Sequence, residues 1–407
     1  MRILMVTQWF DPEPAFKGLV FAKALRERGH EVEVLTGFPN YPGGKVYPGY
    51  RIRPFQREVM DGIPVLRVPL YPSHDQSPVG RALNYLSFGL SASILGSPTV
   101  SRADVMYVYH APATIGLPAV VIGQLRRIPF VYDINDLWPD TLDATGMLNG
   151  KAPLWMIDRW CRFVYRRAGR VVVVTPGFKA ALCARGVSEE KIEVIYNWCD
   201  ERQAAGTGPD EALARDLGMA GRFNVVFAGT MGKAQALDSV LEAAGIVAER
   251  LPAVQFVFVG GGIEVERLKK SAVEKGLPNV LFLPRRPVSE IGRVLDLADV
   301  LLVHLKDSPL FRITIPSKVQ TYLAIGRPIL LGVRGDAENL VTAAKAGIPC
   351  QPESPLGIAQ TVEEFFRMPR QRLREMGENG ARYYRENLSL SMAVGKFEDV
   401  FRAVSRV

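Results

Sequence analysis

RILMVT (residues 2–7) leads through a proline-broken loop into an amphipathic stretch over residues 18–28 and then into EVEVLT (31–36). The same construction returns in the second half. FNVVFAG (223–229) passes through residues 230–233 into an amphipathic stretch over 237–249 and then VQFVFVGGG (254–262). A short apolar run of strand length, a glycine-containing turn, a helix and a second apolar run predict a βαβ unit that opens a parallel sheet. Each half therefore reads as a Rossmann-like domain, and the fold class as α/β. Doubly wound sheets bind ligands beyond the carboxyl ends of their strands. Two such edges facing each other would define one interdomain cleft, so functional residues are sought in the turns that follow the strands.

At 407 residues the chain exceeds one ordinary core and fits two domains. Between strand patterns, residues 38–50 (FPNYPGGKVYPGY) cannot be regular structure and predict a shaped loop. Further expected elements of the first half are a strand near Val65, helices over 81–95, 115–126 and 154–167, and strands at 105–109, 130–134, 170–174 and 192–196. Residues 200–216 are polar and poorly patterned and read as a linker. The expected domains are 1–199, the linker 200–216, and 217–388. A final helix over 389–407 is expected to pack away from the second domain's sheet.

An apolar share of 48% and a charged share of 23% are those of a soluble globular chain. The first strand begins at once, without the basic and apolar regions of an export signal, which predicts a cytoplasmic protein. The low-charge stretches 82–100 and 110–125 carry Gly, Pro, Asn or His and predict no membrane-spanning helix. Cys161, Cys183, Cys199 and Cys350 lack metal-ligand spacing and predict reduced thiols with no metal site. The net charge of +8 favours anionic partners. Nucleic acid is not expected, because no recognised binding motif or basic-aromatic ladder is present. Arg159, Arg162, Arg166, Arg167 and Arg170, with Arg81, Arg126 and Arg127, form either a solvated, salt-bridged face or a patch that rests on an anionic membrane surface.

The most specific local signal is IPSKVQTYLAIGRPIL (315–330). Pro316 in a first helical turn, Ser317 as the cap and Lys318 beside it place free N–H groups, a hydroxyl and an ammonium at one helix start, which suits a diphosphate. Gly229, Thr230, Gly232 and Lys233 form the first turn of the second half, where missing side chains allow a ligand close to the backbone. Gly260 and Gly261 end the next strand, and Arg285 and Arg286 follow the one after it as a candidate base or phosphate contact. In the first half, YDINDLWPD (132–140) sets Asn135, Asp136 and Trp138 just beyond an apolar strand. Carboxylates there can orient sugar hydroxyls while an indole stacks on a pyranose face. His110 ends the preceding strand, and Lys17 and Gly18 occupy the first turn, facing the expected cleft.

GHEVEVLT, FPNYPGGKVYPGY, YDINDLWPD, IYNWCD (195–200), FAGTMGKAQALD (227–238) and PSKVQTYLAIGRPI together resemble the family-four glycosyltransferases, in the bacterial branch that builds surface polysaccharides and O-antigens. The resemblance spans nearly the whole chain. It implies a GT-B fold with an N-terminal acceptor domain, a C-terminal nucleotide-sugar domain and a last helix that crosses back to the first domain. It further implies a hexosyltransferase that retains anomeric configuration, uses a nucleotide-diphosphate sugar as donor and needs no cofactor or metal. The acceptor would be a glycan or a polyprenyl-diphosphate-linked sugar at the inner face of the plasma membrane. Lys318 and Lys233 would neutralise the leaving diphosphate, Asp136 and His110 would act on the acceptor side, and Thr321 would face the ribose. The pattern departs from the family at two places. Ile313 and Thr321 stand where members commonly carry glutamates, and Thr230 and Gln235 where they carry Arg and Lys. Two alternatives remain at this stage: a sugar-nucleotide 2-epimerase of the same architecture, and a non-catalytic sugar-nucleotide-binding protein.

Overall fold

The computed structural model describes residues 1–73, 78–110, 112–144, 147–148, 150–201, 208 and 210–405. The chain divides into two compact units, Met1–Tyr196 with Ala393–Val407, and Asn197–Met392.

Among the described residues the first unit is built on eight strands: β1 (Arg2–Val6), β2 (Glu31–Gly37), β3 (Gln56–Met60), β4 (Ile63–Val68), β5 (Val105–His110), β6 (Phe130–Ile134), β7 (Arg170–Val173) and β8 (Ile192–Val194). They lie in the order β3-β4-β2-β1-β5-β6-β7-β8, all parallel except β3. The strand expected near Val65 is thus the second arm of a hairpin. Asp61 and Gly62 both hold positive φ, 47° and 79°, which is the two-residue turn that an Asp-Gly pair favours. Order reverses between β1 and β5, so the crevice expected of a doubly wound sheet opens between the loops that follow these two strands. The helix expected over 81–95 runs from Pro78 to Ser91 and continues as a wider π turn over Ala92–Gly96.

The C-terminal helix, Leu390–Ser405, belongs to this unit from Ala393 onward. Phe397 meets the rings of Phe21 and Tyr107 at 5.1 and 5.5 Å. Glu398 accepts from His30 at 2.7 Å and from Arg28 at 2.9 Å. Residues 406–407 of the expected final helix lie outside the described residues.

The second unit holds β9 (Phe223–Thr230), β10 (Val254–Gly261), β11 (Val280–Leu283), β12 (Val300–His304), β13 (Ile329–Gly332) and β14 (Gly347–Pro349). The order is β11-β10-β9-β12-β13-β14, parallel throughout, so its reversal lies between β9 and β12. Strands such as VLLVH and ILLG are buried at every position, as a sheet covered on both faces requires. Within the stretch expected as an unpatterned linker, Glu211–Asp216 is helical and the Asp210 carboxylate accepts from Leu213 N–H at 3.0 Å, a standard start for a helix. Residues 202–207 and 209 of that stretch lie outside the described residues.

Candidate functional site

The second unit gathers its candidates at the reversal point. Helix Ser317–Ile325 begins beyond β12, and its Tyr322 hydroxyl ties it to β9 by accepting from Ala228 N–H at 2.9 Å. A cavity of about 510 Å³ opens there, lined by Gly229, Thr230, Pro316, Ser317, Lys318 and Thr321 among others. The Lys318 Nζ is buried, lies 3.6 Å from the centre of the Phe227 ring, and has no hydrogen-bond partner among the described residues. Among the described residues no carboxylate lines the cavity. Burial without a counter-ion pulls the Lys318 ammonium down to a pKa of about 7. The arrangement is a buried cation beside a helix start, and it can accept a dianionic group that brings its own charge.

The helix start is displaced by one residue from expectation. Pro316 is the cap position, and Ser317 is the first helical residue, exposed and making no cap hydrogen bond through its side chain. Proline at the cap removes one N–H but offers no side-chain acceptor, so no side chain caps the N–H groups of the first turn. Thr321 lines the cavity one turn on, its hydroxyl 3.4 Å from the Ser317 carbonyl.

Other expected donor residues sit elsewhere. Lys233 is exposed and lines a neighbouring hollow of about 400 Å³ with Asp238, Glu264, Arg267 and Lys306. Gly232 instead caps the short turn Lys233–Gln235, its N–H bonded to Gln235 Oε1 at 2.9 Å. Gly260 has a packing reason of its own. It pairs with Gly229 across the strands at φ +144°, and a Cβ there would stand 2.0 Å from the Gly229 carbonyl oxygen. Gly261 pairs with Thr230, and neither Gly260 nor Gly261 lines the cavity. Arg285 is exposed after the outermost strand β11, and Arg286 lies 3.8 Å from Glu290; neither lines the cavity, although Ile291 and Leu295 of the helix that follows them do.

A residue missed in the sequence is His304 at the end of β12. It is buried, lines the cavity, and is fully bonded: Nδ1–H donates to the Gln235 carbonyl at 2.7 Å and Nε2 accepts from Glu353 N–H at 3.0 Å. Burial lowers its pKa, and nearby Lys318 adds to that, so the ring is neutral at pH 7. VLLVH ends as VMYVYH does, with a lone histidine closing an apolar strand, and that likeness was the available signal. A larger hollow, about 630 Å³, lies by Asn224, Asp299 and Pro328 at the amino ends of the strands, where arginines and carboxylates pair with each other. Its place is the wrong edge for a doubly wound sheet.

In the first unit the candidates again follow β1, β5 and β6. Lys17 does not face an open cleft. It is wholly buried on Asp133 at 2.5 Å, beside the rings of Phe397 and Tyr109. Asp133 also accepts from Tyr107 at 2.6 Å and from Asn135 at 3.3 Å. A fully buried pair with this many partners positions loops and does not offer a free charge. Gly18 is needed because Asp11 caps the following helix. Asp11 Oδ2 accepts from Leu19 N–H at 2.7 Å, and a Cβ on Gly18 would lie 2.3 Å from that oxygen.

His110 is fully buried, and neither ring nitrogen has a hydrogen-bond partner among the described residues. Burial drops its pKa to about 3. It is therefore neutral, able to give or take one hydrogen bond but not to act as an acid at pH 7. An aromatic chain leads away from it: Trp138 at 6.1 Å, then Tyr85, Trp9 and Tyr41 at 6.4, 6.3 and 4.8 Å. Asp136 is exposed beside this chain, and partial desolvation raises its carboxyl pKa. Glu13, buried, holds the 38–50 loop in place by accepting from the N–H groups of Asn40 and Tyr41 at 2.6 and 2.7 Å.

The basic cluster is partly spent within the unit. Arg162 pairs with Asp158, while Arg159 and Arg167 lie over Trp155 and Phe163. Arg126, Arg127, Arg166 and Arg167 nevertheless stay exposed, and a second surface feature is apolar. Val79, Leu83, Leu86 and Leu90 stand exposed on helix Pro78–Ser91 at helical spacing, and Ile94 extends the row. Residues 77–103 contain no carboxylate. Among the described residues no helix is long and apolar enough to cross a membrane.

Residues 19–198 match the family described as Glycosyl transferase 4-like domain, and residues 212–383 match Glycosyl transferases group 1. The chain is 26% identical over 385 residues to the putative colanic acid biosynthesis glycosyl transferase WcaI of Escherichia coli, covering 91% of this chain and 93% of that one. It is 24% identical over 300 residues to the probable glycosyltransferase WbjE of Pseudomonas aeruginosa, covering 73% and 74%. Among solved structures, Anabaena HepE in complex with UDP superposes with a TM-score of 0.72 at 17% identity, covering 99% of this chain and all of that one. An alpha,alpha-trehalose-phosphate synthase (UDP-forming) from Burkholderia vietnamiensis gives 0.72 at 13% identity, with 99% and 100% covered. At such identities these two structures report on the fold.

Proposed function

The chain is a glycosyltransferase of the GT-B fold, a 4-like domain followed by a group 1 domain, and on that premise we propose that it moves a hexose from a nucleotide-diphosphate sugar to a glycan or polyprenyl-diphosphate-linked acceptor in bacterial surface polysaccharide synthesis, with retention of configuration. The observation that carries the donor half is the buried Lys318 ammonium, which among the described residues has no hydrogen-bond partner and no carboxylate in its cavity. As the glycosidic bond breaks, charge grows on the leaving diphosphate. A fixed cation at that point stabilises the transition state more than the ground state. The donor's own phosphate can take the acceptor's proton, so retention asks little of a protein base. The UDP bound by HepE and the UDP-forming reaction named for the Burkholderia synthase favour a nucleoside diphosphate in this cavity.

On the acceptor side, Trp138 with its aromatic neighbours offers stacking surface, Asp136 a carboxylate for sugar hydroxyls, and neutral His110 one hydrogen bond. The polysaccharide setting is supported by WcaI's name. A peripheral position on an anionic membrane is supported by the exposed apolar row on helix Pro78–Ser91 and by the lack of Asp and Glu in the segment 77–103. A thermal-shift screen of UDP-, GDP-, ADP- and dTDP-sugars tests the reading. One of them should raise the unfolding midpoint of the wild type and raise that of Lys318→Met by clearly less. No shift with any of the four would refute the donor assignment.

A further inference from the structure

The loop from Gly229 to Ala236 forms one wall of the crevice in the second unit, and the end of β12 forms the other. Such a loop must hold its shape to present backbone to a ligand, and its own conformation does not favour that. Gly229 takes φ +134° and Ala236, not a glycine, takes φ +47°. Two hydrogen bonds cross from the β12 side to fix it: Lys306 N–H to the Ala234 carbonyl at 2.9 Å, and His304 Nδ1–H to the Gln235 carbonyl at 2.7 Å. The second comes from a side chain whose place is itself determined. His304 pairs with Gly332 on β13, and a Cβ at Gly332 would lie 2.3 Å from the imidazole Cδ2, so only glycine there lets the ring sit where it does. The far nitrogen accepts from the N–H of Glu353, another non-glycine residue at positive φ, +57°.

Resting on the donor reading above, we infer that His304 is a positioning residue for the nucleotide donor: its neutral imidazole pins the Gly229–Ala236 loop across the crevice and holds open the space into which Lys318 reaches. The two bonds require opposite roles of the two nitrogens, which only the neutral ring with its proton on Nδ1 supplies. Burial first and Lys318 second hold the ring neutral against the Glu353 carboxylate, which favours the charged form. Lys318 faces it from the helix, the Tyr322 hydroxyl is engaged with β9, and Glu353 turns its N–H toward the ring while its carboxylate accepts from Asp307 N–H at 2.8 Å.

The test compares His304→Leu, which loses both bonds, with His304→Asn, whose side-chain amide can still donate to the Gln235 carbonyl but cannot reach Glu353. Whichever of UDP, GDP, ADP and dTDP the wild type binds most tightly is titrated into all three proteins by calorimetry, and unfolding midpoints are read without ligand. The Leu variant should bind at least tenfold more weakly and the Asn variant within about threefold of wild type, although both lose stability; a change of tenfold corresponds to about 1.4 kcal/mol. A merely structural histidine would move both midpoints and neither affinity, so binding by the Leu variant within twofold of wild type overturns the inference. So does an Asn variant as weak as Leu. Should His304→Leu not fold, His304→Gln takes its place, since it can accept from Glu353 but not donate to Gln235, and the same outcomes apply. If none of the four nucleotides binds the wild type, the donor reading itself is what fails.

Discussion

Raising the pH from 6 to 8 should loosen the donor about tenfold, and Lys318 is the reason. With a pKa of about 7 in the free protein, the ammonium is about nine-tenths charged at pH 6 and about one-tenth at pH 8. A bound diphosphate keeps it charged, so at the higher pH each binding event draws close to one proton from solvent, and the affinity falls by the fraction that must be recharged. Below pH 7 the dependence should flatten. A nucleotide sugar is the right ligand, because its diphosphate has no proton of its own to lose in this range. Calorimetry in two buffers of different ionisation enthalpy reads both quantities, the affinity and the proton count. In Lys318→Met the affinity should drop at least tenfold at pH 6 and its pH dependence disappear. The same shift has a stability consequence of fixed sign. The Lys318 pKa is lowered on folding from its ordinary 10.5, so the unfolded chain binds more protons between about 7 and 10.5, and this group makes the protein more stable as pH rises through that window. Removing the unpaired charge should raise the unfolding midpoint by roughly 2–4 °C for each kcal/mol of desolvation relieved. A pH-independent affinity in the wild type, or no proton uptake at pH 8, would refute this reasoning.

Other outcomes follow from neighbouring residues. Thr321→Glu restores a carboxylate on the cavity wall and should tighten the nucleoside diphosphate up to about tenfold through a charged hydrogen bond to the ribose, whereas Thr321→Ala should cost little; unchanged binding for both in calorimetry would remove Thr321 from the ribose contact. His110→Phe replaces a buried ring whose nitrogens are unpartnered, so the midpoint should hold or rise while transfer to acceptor falls about a hundredfold; retained turnover would make His110 a packing residue. Leu86→Asp with Leu90→Asp should abolish sedimentation with anionic vesicles at low salt and leave nucleotide binding intact, and the wild-type attraction should fade as salt shortens the Debye length. Equal binding to neutral vesicles would assign the positive charge elsewhere.

What was legible in the sequence was what periodicity and chain order carry. An apolar run such as FVYDI shows at once as a strand, and it falls on the expected residues 130–134. The β3 arm was missed although its Asp61-Gly62 turn was readable, because QREVM has few of the apolar residues by which strands were sought. Long-range pairing was not legible at all. Lys17 looked available for a ligand, and only the structure brings Asp133 to it from 116 positions away. Lys318 was found because a cation at a helix start is out of place electrostatically. His304 was passed over because its importance lies in Gln235, Gly332 and Glu353, three segments that no local pattern joins.

The most direct measurement is a crystal structure of the protein soaked with its tightest-binding nucleotide sugar. The account predicts diphosphate oxygens within about 3 Å of the Lys318 Nζ, in the cavity between β9 and β12. A diphosphate seated instead beside Lys233, or in the larger hollow at the amino ends of the strands, would contradict it.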